Sequence, residues 1–150
     1  MIVNQHVIEY INSLEKELPE HLRELEKCAK RDNIPIIKKE TQSLLRFLLT
    51  LLRPKKILEI GTATGFSAIY MSEYMPEDCR ITTIEKVEER IKKARINLSS
   101  SPKSDKITLL EGDAKVILKE LEVKEDGTYD FIFLDAAKAQ YINFLPSIVK

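Results

Sequence analysis

The residues of this chain that could bind a ligand are glycines and acidic side chains, spaced along it from Gly61 onward. Gly61 and Gly65 enclose a short turn, and Glu85, Asp113 and Asp135 follow later in the chain. Glycine lets the backbone approach a ligand closely because it has no Cβ. Carboxylates accept hydrogen bonds from the hydroxyl groups of a ligand. The set predicts a cradle for a nucleotide-type ligand.

The two glycines lie where a buried-strand pattern, Ile57–Ile60, gives way to an apolar helix pattern beginning at Phe66. A helix N-terminus at this point offers unpaired N–H groups and the positive end of the helix dipole. The spacing Gly61-x-x-x-Gly65 lacks the third glycine of a dinucleotide-binding loop. It therefore fits a nucleoside with an amino-acid tail better than a pyrophosphate.

Glu85 ends the second predicted strand, about 20 residues beyond Gly65, which is the usual offset of an acid that binds both ribose hydroxyls. Each of its two carboxylate oxygens could accept a hydrogen bond from one ribose hydroxyl. The alternative is that Glu85 only caps the helix that begins at Val87.

The elements that must position these residues alternate between strand and helix. The predicted strands are Ile57–Ile60, Arg80–Glu85, Ile107–Leu110 and Tyr129–Leu134. The predicted helices between and after them are Phe66–Tyr74, Val87–Leu98, Ala114–Leu121 and one that begins near Ala139. This alternation predicts an α/β fold with a doubly wound, Rossmann-like parallel sheet. Ligands of such a sheet bind beyond the carboxyl ends of the strands, where the acidic residues lie.

The N-terminal part of the chain has only helical periodicity. Apolar spacing predicts helices over Ile2–Leu18, from Pro19 to the Asp32-Asn33 pair, and over Lys39–Leu52. The third has a wide apolar stripe and is expected to be well buried. We divide the chain into an N-terminal helical cap region, 1–53, and a Rossmann-like ligand-binding core, 54–150.

Composition predicts a soluble cytoplasmic protein. Lys+Arg and Asp+Glu are balanced at 24 each, so net charge gives no argument for nucleic-acid binding. Cys28 and Cys79 lack the spacing of a metal site and fit a reducing compartment. No apolar run approaches the roughly 20 residues that span a membrane.

The fourth strand should be buried on both faces, yet no strand follows it before Lys150. A doubly wound sheet normally continues on both sides of its switch point. We therefore expect that further C-terminal strands are missing from this chain. The alternative is a small four-stranded domain covered by its N-terminal helices or by a partner chain.

Four segments together resemble the metal-dependent class I O-methyltransferases, the family of catechol and caffeoyl-CoA O-methyltransferases and their bacterial relatives. They are Glu59–Ser67, Thr83–Glu85, Glu111–Ala114 and Phe133–Lys138. The resemblance covers nearly the whole chain and implies S-adenosylmethionine (SAM) as cofactor and methyl transfer to a hydroxyl group.

The resemblance implies a role for each matching residue. The cofactor-binding residues would be Ile36, Glu59, Gly61, Thr62, Gly65, Ser67, Glu85, Asp113, Ala114 and Asp135. Among them, the backbone near Gly61 and the Ser67 side chain would hold the methionine tail, and Glu59 would orient its amino group. Glu85 would bind the ribose, Asp113 and Ala114 would flank the adenine, and Ile36 would cover the site.

Asp135 would also be the first ligand of a divalent ion, normally Mg²⁺, and Lys138 would be the general base of the reaction. The alternative for Lys138 is a solvated lysine at the start of a helix. The family's other two metal ligands follow a fifth strand, which would lie beyond Lys150. We therefore expect weak Mg²⁺ binding and little turnover from residues 1–150 alone.

The acceptor and the partners are less constrained. The segment Asn33–Ile37 and the two helices before it are similar to the family's bacterial tRNA 5-hydroxyuridine methyltransferases, which favours tRNA over a catechol-like phenol. Binding of tRNA needs a basic surface for phosphates, to which Lys55, Lys56 and the basic stripe of the second core helix (Arg90, Lys92, Lys93 and Arg95) could contribute. The alternative, which we favour, is that the stripe is a solvated helix face, since acidic Glu88 and Glu89 interleave with it. The family forms dimers, so a homodimer is expected. Competing hypotheses are an NAD-dependent oxidoreductase and a SAM-binding fragment that does not catalyse.

Overall fold

A computed structural model of the chain describes residues 4–14, 17–123, 129–136 and 140–148. Its α-helices are α1 (Gln5–Ser13), α2 (Glu20–Arg31), α3 (Lys39–Leu52), α4 (Phe66–Tyr74), α5 (Glu88–Ser99), α6 (Ala114–Val123) and α7 (Tyr141–Ile148). Its strands are β1 (Lys56–Ile60), β2 (Arg80–Glu85), β3 (Ile107–Glu111) and β4 (Phe131–Leu134). A 3₁₀ turn, Ser104–Lys106, precedes β3. None of the helices in these ranges is long and apolar enough to cross a membrane.

The strands form one parallel sheet in the order β3-β2-β1-β4, which confirms the predicted doubly wound architecture. The chain builds β1, β2 and β3 outward in one direction and then returns to the other side of β1 for β4. The switch point of the sheet therefore lies between β1 and β4. Every residue of β4 is only half-buried, contrary to the expected burial on both faces, because β4 is an edge strand of the described sheet.

Helices cover both faces of the sheet because alternate strand residues point to opposite sides. Ile57 belongs to a core cluster with α2, α3, α4 and α5, whereas Leu58 belongs to a second cluster with α6 and α7. Glu59 shares the face of Ile57, so its side chain lies under α4 rather than α6. This alternation decides which helix each polar side chain of β1 can contact.

Two sequence predictions about the N-terminal helices are wrong. The helix predicted over Ile2–Leu18 is shorter, since α1 ends at Ser13 and residues 17–19 are non-helical ahead of α2. Proline at position 19 disfavours helical angles at Leu18. The third helix is not well buried: only one side of α3 packs on the core, with Leu45 and Leu49 inside. Its other side leaves large side chains more than half exposed, namely Leu44, Phe47, Leu51 and Leu52.

Asp130 fixes the start of β4 against β1. Its carboxylate accepts hydrogen bonds from the backbone N–H groups of Lys55 and Lys56 at 2.7 and 3.1 Å, and these bonds lower its pKa. Its own N–H donates to the Lys56 carbonyl at 2.9 Å. The register between β1 and β4 is thus set at the end of the strands opposite to the acidic residues.

Candidate functional site

Two cavities open at the carboxyl ends of β1, β2 and β4, at the switch point of the sheet. The larger, of about 890 Å³, lies between the glycine turn, the N-terminal half of α5 and the segment that joins α2 to α3. The smaller, of about 240 Å³, lies between the ends of β2, β3 and β4. Both are lined by Gly61, Ala63, Arg90 and Asp135, so they form one divided cleft.

Gly61 is where the end of β1 passes closest to the end of β4. Its φ is +106°, and a Cβ placed on it would lie 2.3 Å from the carbonyl oxygen of Asp135. The N–H groups of Gly61 and Thr62 donate to the Ile84 carbonyl at 3.0 and 3.1 Å, which ties the turn to the end of β2. Only a residue without a side chain can occupy this position unstrained.

Gly65 shapes the end of the glycine turn at the start of α4. It lines neither cavity and instead starts α4 with a φ of +89°, while its N–H donates to the Thr62 carbonyl at 2.8 Å. A Cβ on Gly65 would lie 3.2 Å from the Leu98 side chain, so this glycine lets α5 pack against the turn. Asn97 holds the same turn by donating to the Thr64 carbonyl at 2.8 Å.

Glu85 is buried and lines the smaller cavity beside Asp113 and Ala114. One of its carboxylate oxygens accepts from the N–H of Ala63 at 2.9 Å, and the other accepts from Lys86 and Val87 at 2.9 and 3.0 Å. Glu85 therefore does hold the start of α5, as the alternative proposed. A carboxylate has about four lone-pair positions, so an acceptor site on the Ala63-bound oxygen stays open toward a ligand.

Glu59 lies beneath the cleft with no exposed surface and contacts neither cavity. Ser67 donates a hydrogen bond to one of its carboxylate oxygens, and Thr83 donates to the other at 2.5 Å. Thr83 also shares a 2.6 Å hydrogen bond with Thr62. Burial raises the pKa of Glu59 to about 7; the Ser67 and Thr83 hydrogen bonds oppose this rise, and the nearby Asp135 and Glu85 charges add to it.

The ionised form of Glu59 fixes the direction of every hydroxyl around it. A carboxylate can only accept, so Ser67 and Thr83 must both donate to it. Thr83 has then used its proton, and Thr62 must donate to Thr83. Ser67 lines the larger cavity, so it presents lone pairs rather than a proton to any ligand there. Such a site suits a cationic group, for example an ammonium.

The segment between α2 and α3 forms the far wall of the larger cavity and includes Ile36. The Gln42 side chain holds it by donating to the Ile37 carbonyl at 3.0 Å. Gln42 is itself fixed, because its backbone carbonyl accepts from the Tyr70 hydroxyl of α4 at 2.9 Å. The position of Ile36 over the cleft is therefore tied to the core of the sheet.

Asp135 lines both cavities, and its N–H donates to the Ile60 carbonyl at 3.0 Å. Within the ranges that the structure describes, no group of three His, Cys, Asp or Glu side chains could hold a metal ion. The described residues therefore do not by themselves form the metal site that the resemblance implies. Lys138 lies outside the described residues.

The comparison with known proteins agrees with this geometry. A family model described as O-methyltransferase matches residues 11–150. This chain belongs to the O-methyltransferase family. It is 30% identical over 149 residues to caffeoyl-CoA O-methyltransferase 1 of Eucalyptus globulus, across 97% of this chain and 60% of that relative. The chain thus spans only about 60% of the length of this relative.

Solved structures of O-methyltransferases have the same fold. The O-methyltransferase from Bacillus cereus in complex with SAH superposes with a TM-score of 0.86 at 25% identity, over 96% of this chain and 66% of that one. The O-methyltransferase TomG of tomaymycin synthesis from Streptomyces achromogenes, in complex with SAM, gives 0.82 at 27% identity, over the same 96% and 66%.

Sequence reasoning missed several residues of the O-methyltransferase cleft. Ala63 and Arg90 line both cavities, and Thr83 joins Glu59 to Thr62. Thr83 could have been found from strand alternation, since it precedes Glu85 by two positions and shares its face. Ala63 adopts a φ of +50°, which the sequence does not signal because glycine or asparagine normally takes such a conformation.

We expect Gly61→Ala to destabilise the O-methyltransferase fold by about 3 kcal/mol, because it adds strain at positive φ and pushes the Asp135 backbone away. Urea denaturation followed by circular dichroism measures this change. Ala63→Gly is the matched control, since it alters the same turn without adding atoms and relieves a positive φ. A Gly61→Ala midpoint equal to that of the wild type would show that the close approach is unimportant.

We expect Glu59→Gln to remove a pH dependence from folding stability. The pKa of about 7 in the folded chain lies above the ordinary 4.5, so the folded state holds a proton that the unfolded state has lost. This stabilisation is complete below pH 4.5 and is lost as the pH rises to 7, a change of about 3 kcal/mol. Urea midpoints at pH 5 and pH 8 should therefore differ more for the wild type than for Glu59→Gln.

The control for that measurement is Glu120→Gln, which removes an exposed carboxylate from α6 and should keep the wild-type difference between the two pH values. Histidine titration is common to all three proteins and cancels in the comparison. A wild type whose stability does not fall between pH 5 and pH 8 contradicts the assignment.

Proposed function

We propose that this chain forms the cofactor-binding part of a SAM-dependent O-methyltransferase that methylates a hydroxyl group. The observation that carries the proposal is the meeting of Glu85 and Asp135 at one cavity beside the Gly61 turn. These residues come from β2, β4 and β1, so only the sheet brings them together. Membership of the O-methyltransferase family and the SAM- and SAH-bound neighbours support the choice of cofactor.

The cleft offers each part of SAM a chemically suitable group. Glu85 has an open acceptor position for the ribose hydroxyls, and the smaller cavity, with Asp113 and Ala114, fits the adenine. The larger cavity presents the Gly61–Thr62 backbone and the Ser67 hydroxyl to the methionine tail. Glu59 acts behind Ser67 by orienting its hydroxyl, and Ile36 covers the tail from the opposite wall.

The cofactor supplies a methyl group on a positively charged sulfur. Transfer to an oxygen needs the two reacting atoms in line and water kept out, and positioning of this kind can supply a large part of the rate. Here the positioning comes from the tethered segment around Ile36 and from the rigid turn at Gly61. We propose Lys138 as the base that takes the proton of the acceptor hydroxyl.

We propose Asp135 as one ligand of a divalent ion, since it ends β4 at the mouth of the cleft and offers hard oxygen donors. The described residues supply no complete site, so no step of the reaction is derived through the ion. Turnover by these residues alone is expected to be low.

For the acceptor we propose the 5-hydroxyuridine of a tRNA, on the similarity of Asn33–Ile37 and the helices before it to the bacterial enzymes of that kind. A catechol-like phenol or a caffeoyl thioester, which the name of the Eucalyptus relative suggests, is the alternative. An NAD-dependent oxidoreductase is disfavoured because only one glycine of the turn, Gly61, lines the cleft. A pyrophosphate needs closer backbone approach than that.

Calorimetric titration of the chain with S-adenosylhomocysteine and with NAD tests the proposal. We expect binding of S-adenosylhomocysteine alone, and a loss of roughly tenfold or more in Glu85→Gln, because a carboxylate hydrogen bond to the ribose is lost. Glu111→Gln is the control, since Glu111 also ends a strand but lines neither cavity. Binding of NAD in place of S-adenosylhomocysteine refutes the assignment.

We propose a cytoplasmic homodimer that associates through α1 and α3. α3 exposes Leu44, Phe47, Leu51 and Leu52, and α1 with its C-cap exposes Val7, Tyr10, Ile11 and Leu14, all by about half or more. Large apolar side chains exposed in such number are typical of an interaction site. The free thiols of Cys28 and Cys79 fit a reducing compartment.

The dimer is tested by sedimentation or light scattering on a double variant, Phe47→Glu with Leu51→Glu, which we expect to be monomeric because it places charges in the apolar contact. Ile96→Glu is the matched control, since Ile96 is 67% exposed on α5, away from the proposed contact. Equal masses for the wild type and the double variant would exclude α3 as the interface.

A further inference from the structure

The basic stripe of α5 divides into two groups with different surroundings. Arg95 makes two hydrogen bonds to the Glu111 carboxylate, at 2.6 and 2.5 Å, and Lys92 lies 3.8 Å from Glu88. Neither lines either of the two cavities of the cleft. Arg90 and Lys93, in contrast, line the larger cavity, and Arg90 lines the smaller one as well. The sequence favoured a solvated helix face for the whole stripe. The structure shows instead that only part of the stripe faces away from the cleft.

Two further cations continue this arrangement along the cleft. Lys38 lines the larger cavity from the opposite wall, and Lys86 lines the smaller one. We call Lys38, Lys86, Arg90 and Lys93 the basic rim. Because Lys38 borders only one cavity, Lys86 only the other, and Arg90 both, the charges follow the cleft from end to end.

The rim is weakly neutralised. Among the described residues, no side chain pairs with Arg90 or with the Lys38 ammonium. Lys93 lies 3.6 Å from Asp32, and Lys86 lies 3.6 Å from Asp113, in pairs whose members are all at least one third exposed. Exposed pairs at such distances contribute little to stability, so a ligand anion could replace them.

Four carboxylates line the cleft as well, namely Glu85, Glu89, Asp113 and Asp135. Glu85 is buried and accepts hydrogen bonds from three backbone N–H groups, and Asp113 is the partner of Lys86. Among the described residues, Lys38 and Arg90 therefore remain the rim cations without a charged partner.

The cofactor does not account for these charges. SAM carries one carboxylate and no phosphate, whereas the rim carries four cations spread over two cavities and two walls. A single phosphate could reach one or two of them. Successive phosphates of a nucleic-acid strand could reach all four cations. Guanidinium and ammonium groups form strong charge-assisted hydrogen bonds to phosphate.

We propose that the basic rim binds backbone phosphates of a single-stranded RNA segment and so holds the acceptor over the cleft. This inference rests on the RNA acceptor of the proposed function, and it names the surface that binds that RNA. Arg90 is its centre, since it borders both cavities.

The test compares two double variants that remove the same charge from the same helix. One is Arg90→Gln with Lys93→Gln, and the other is Lys92→Gln with Arg95→Gln. Fluorescence anisotropy measures binding of a labelled oligouridylate at several salt concentrations. We expect the first variant to lose roughly tenfold in affinity and to lower the salt slope by about 1.4, the value for two lost phosphate contacts. The second should bind like the wild type.

Lys38→Gln lies on the opposite wall and is a control for a structural defect limited to α5. This variant should also bind the oligouridylate more weakly than the wild type. Equal RNA affinity for the two double variants overturns the proposal, as does an oligouridylate that the wild type does not bind. Displacement of the oligouridylate by stoichiometric coenzyme A overturns the RNA assignment in favour of a small phosphate ligand.

Calorimetry with S-adenosylhomocysteine on the same proteins separates this inference from the proposed function. Because Arg90 and Lys93 line the cavities proposed for the cofactor, their double variant is compared for both ligands, and we expect the loss of RNA affinity to be the larger of the two. A large loss there with intact RNA binding would assign Arg90 to the cofactor carboxylate and overturn the proposal. A wild type that binds RNA but not S-adenosylhomocysteine would refute the proposed function and leave the rim standing.

Discussion

The cleft depends on the contact between Gly61 and the Asp135 backbone. β2 and β4 flank β1, so the chain leaving β1 must turn toward one neighbour while the chain leaving β4 crosses close to it. A Cβ at position 61 would occupy the place of the Asp135 carbonyl oxygen. Because the two ends touch, they divide the space above the sheet into two cavities that share a wall. As a result, Asp135 lies between the two cavities and lines both of them.

A second constraint is the buried carboxylate of Glu59, which lies beneath the cleft. Glu59 is a carboxylate without exposed surface, and burial of such a group is costly unless its oxygens are hydrogen-bonded. Ser67 and Thr83 meet that need, yet the pKa of Glu59 stays near 7. A perturbed carboxyl beneath a cleft is a common mark of functional sites. At a pH above that value, the ionised acid accepts from Ser67 and Thr83 and so decides which way the Ser67 and Thr62 hydroxyls point.

α5 joins these parts because its sides face different surroundings. Ile91 and Ala94 are buried against the sheet, and Asn97 and Leu98 hold the glycine turn. Arg90 and Lys93 border the cleft, while Arg95 is bound to the end of β3. Because an α-helix has 3.6 residues per turn, these side chains point in different directions around the axis of α5. A shift of α5 would therefore change the turn, the cleft and its charge together.

The sequence by itself determined the elements and their order. Strand and helix patterns gave β2, α3 and α4 to the residue, because period-two and 3.6-residue apolar spacing report directly on which side is buried. The alternation of the elements gave the parallel sheet. The acids were assigned to one edge correctly, because carboxyl ends of parallel strands must lie together.

Tertiary structure alone decided how those residues are used. Glu59 and Gly65 belong to the matched segments yet line neither cavity of the cleft, because strand alternation and helix packing turn them inward. α3 has an apolar stripe on two sides, and only packing decides which one is covered. Arg90 and Lys92 look equivalent in the sequence, but one borders the cleft and the other faces away. Periodicity fixes the direction of a side chain relative to its own element, whereas what lies in that direction depends on the other elements of the fold.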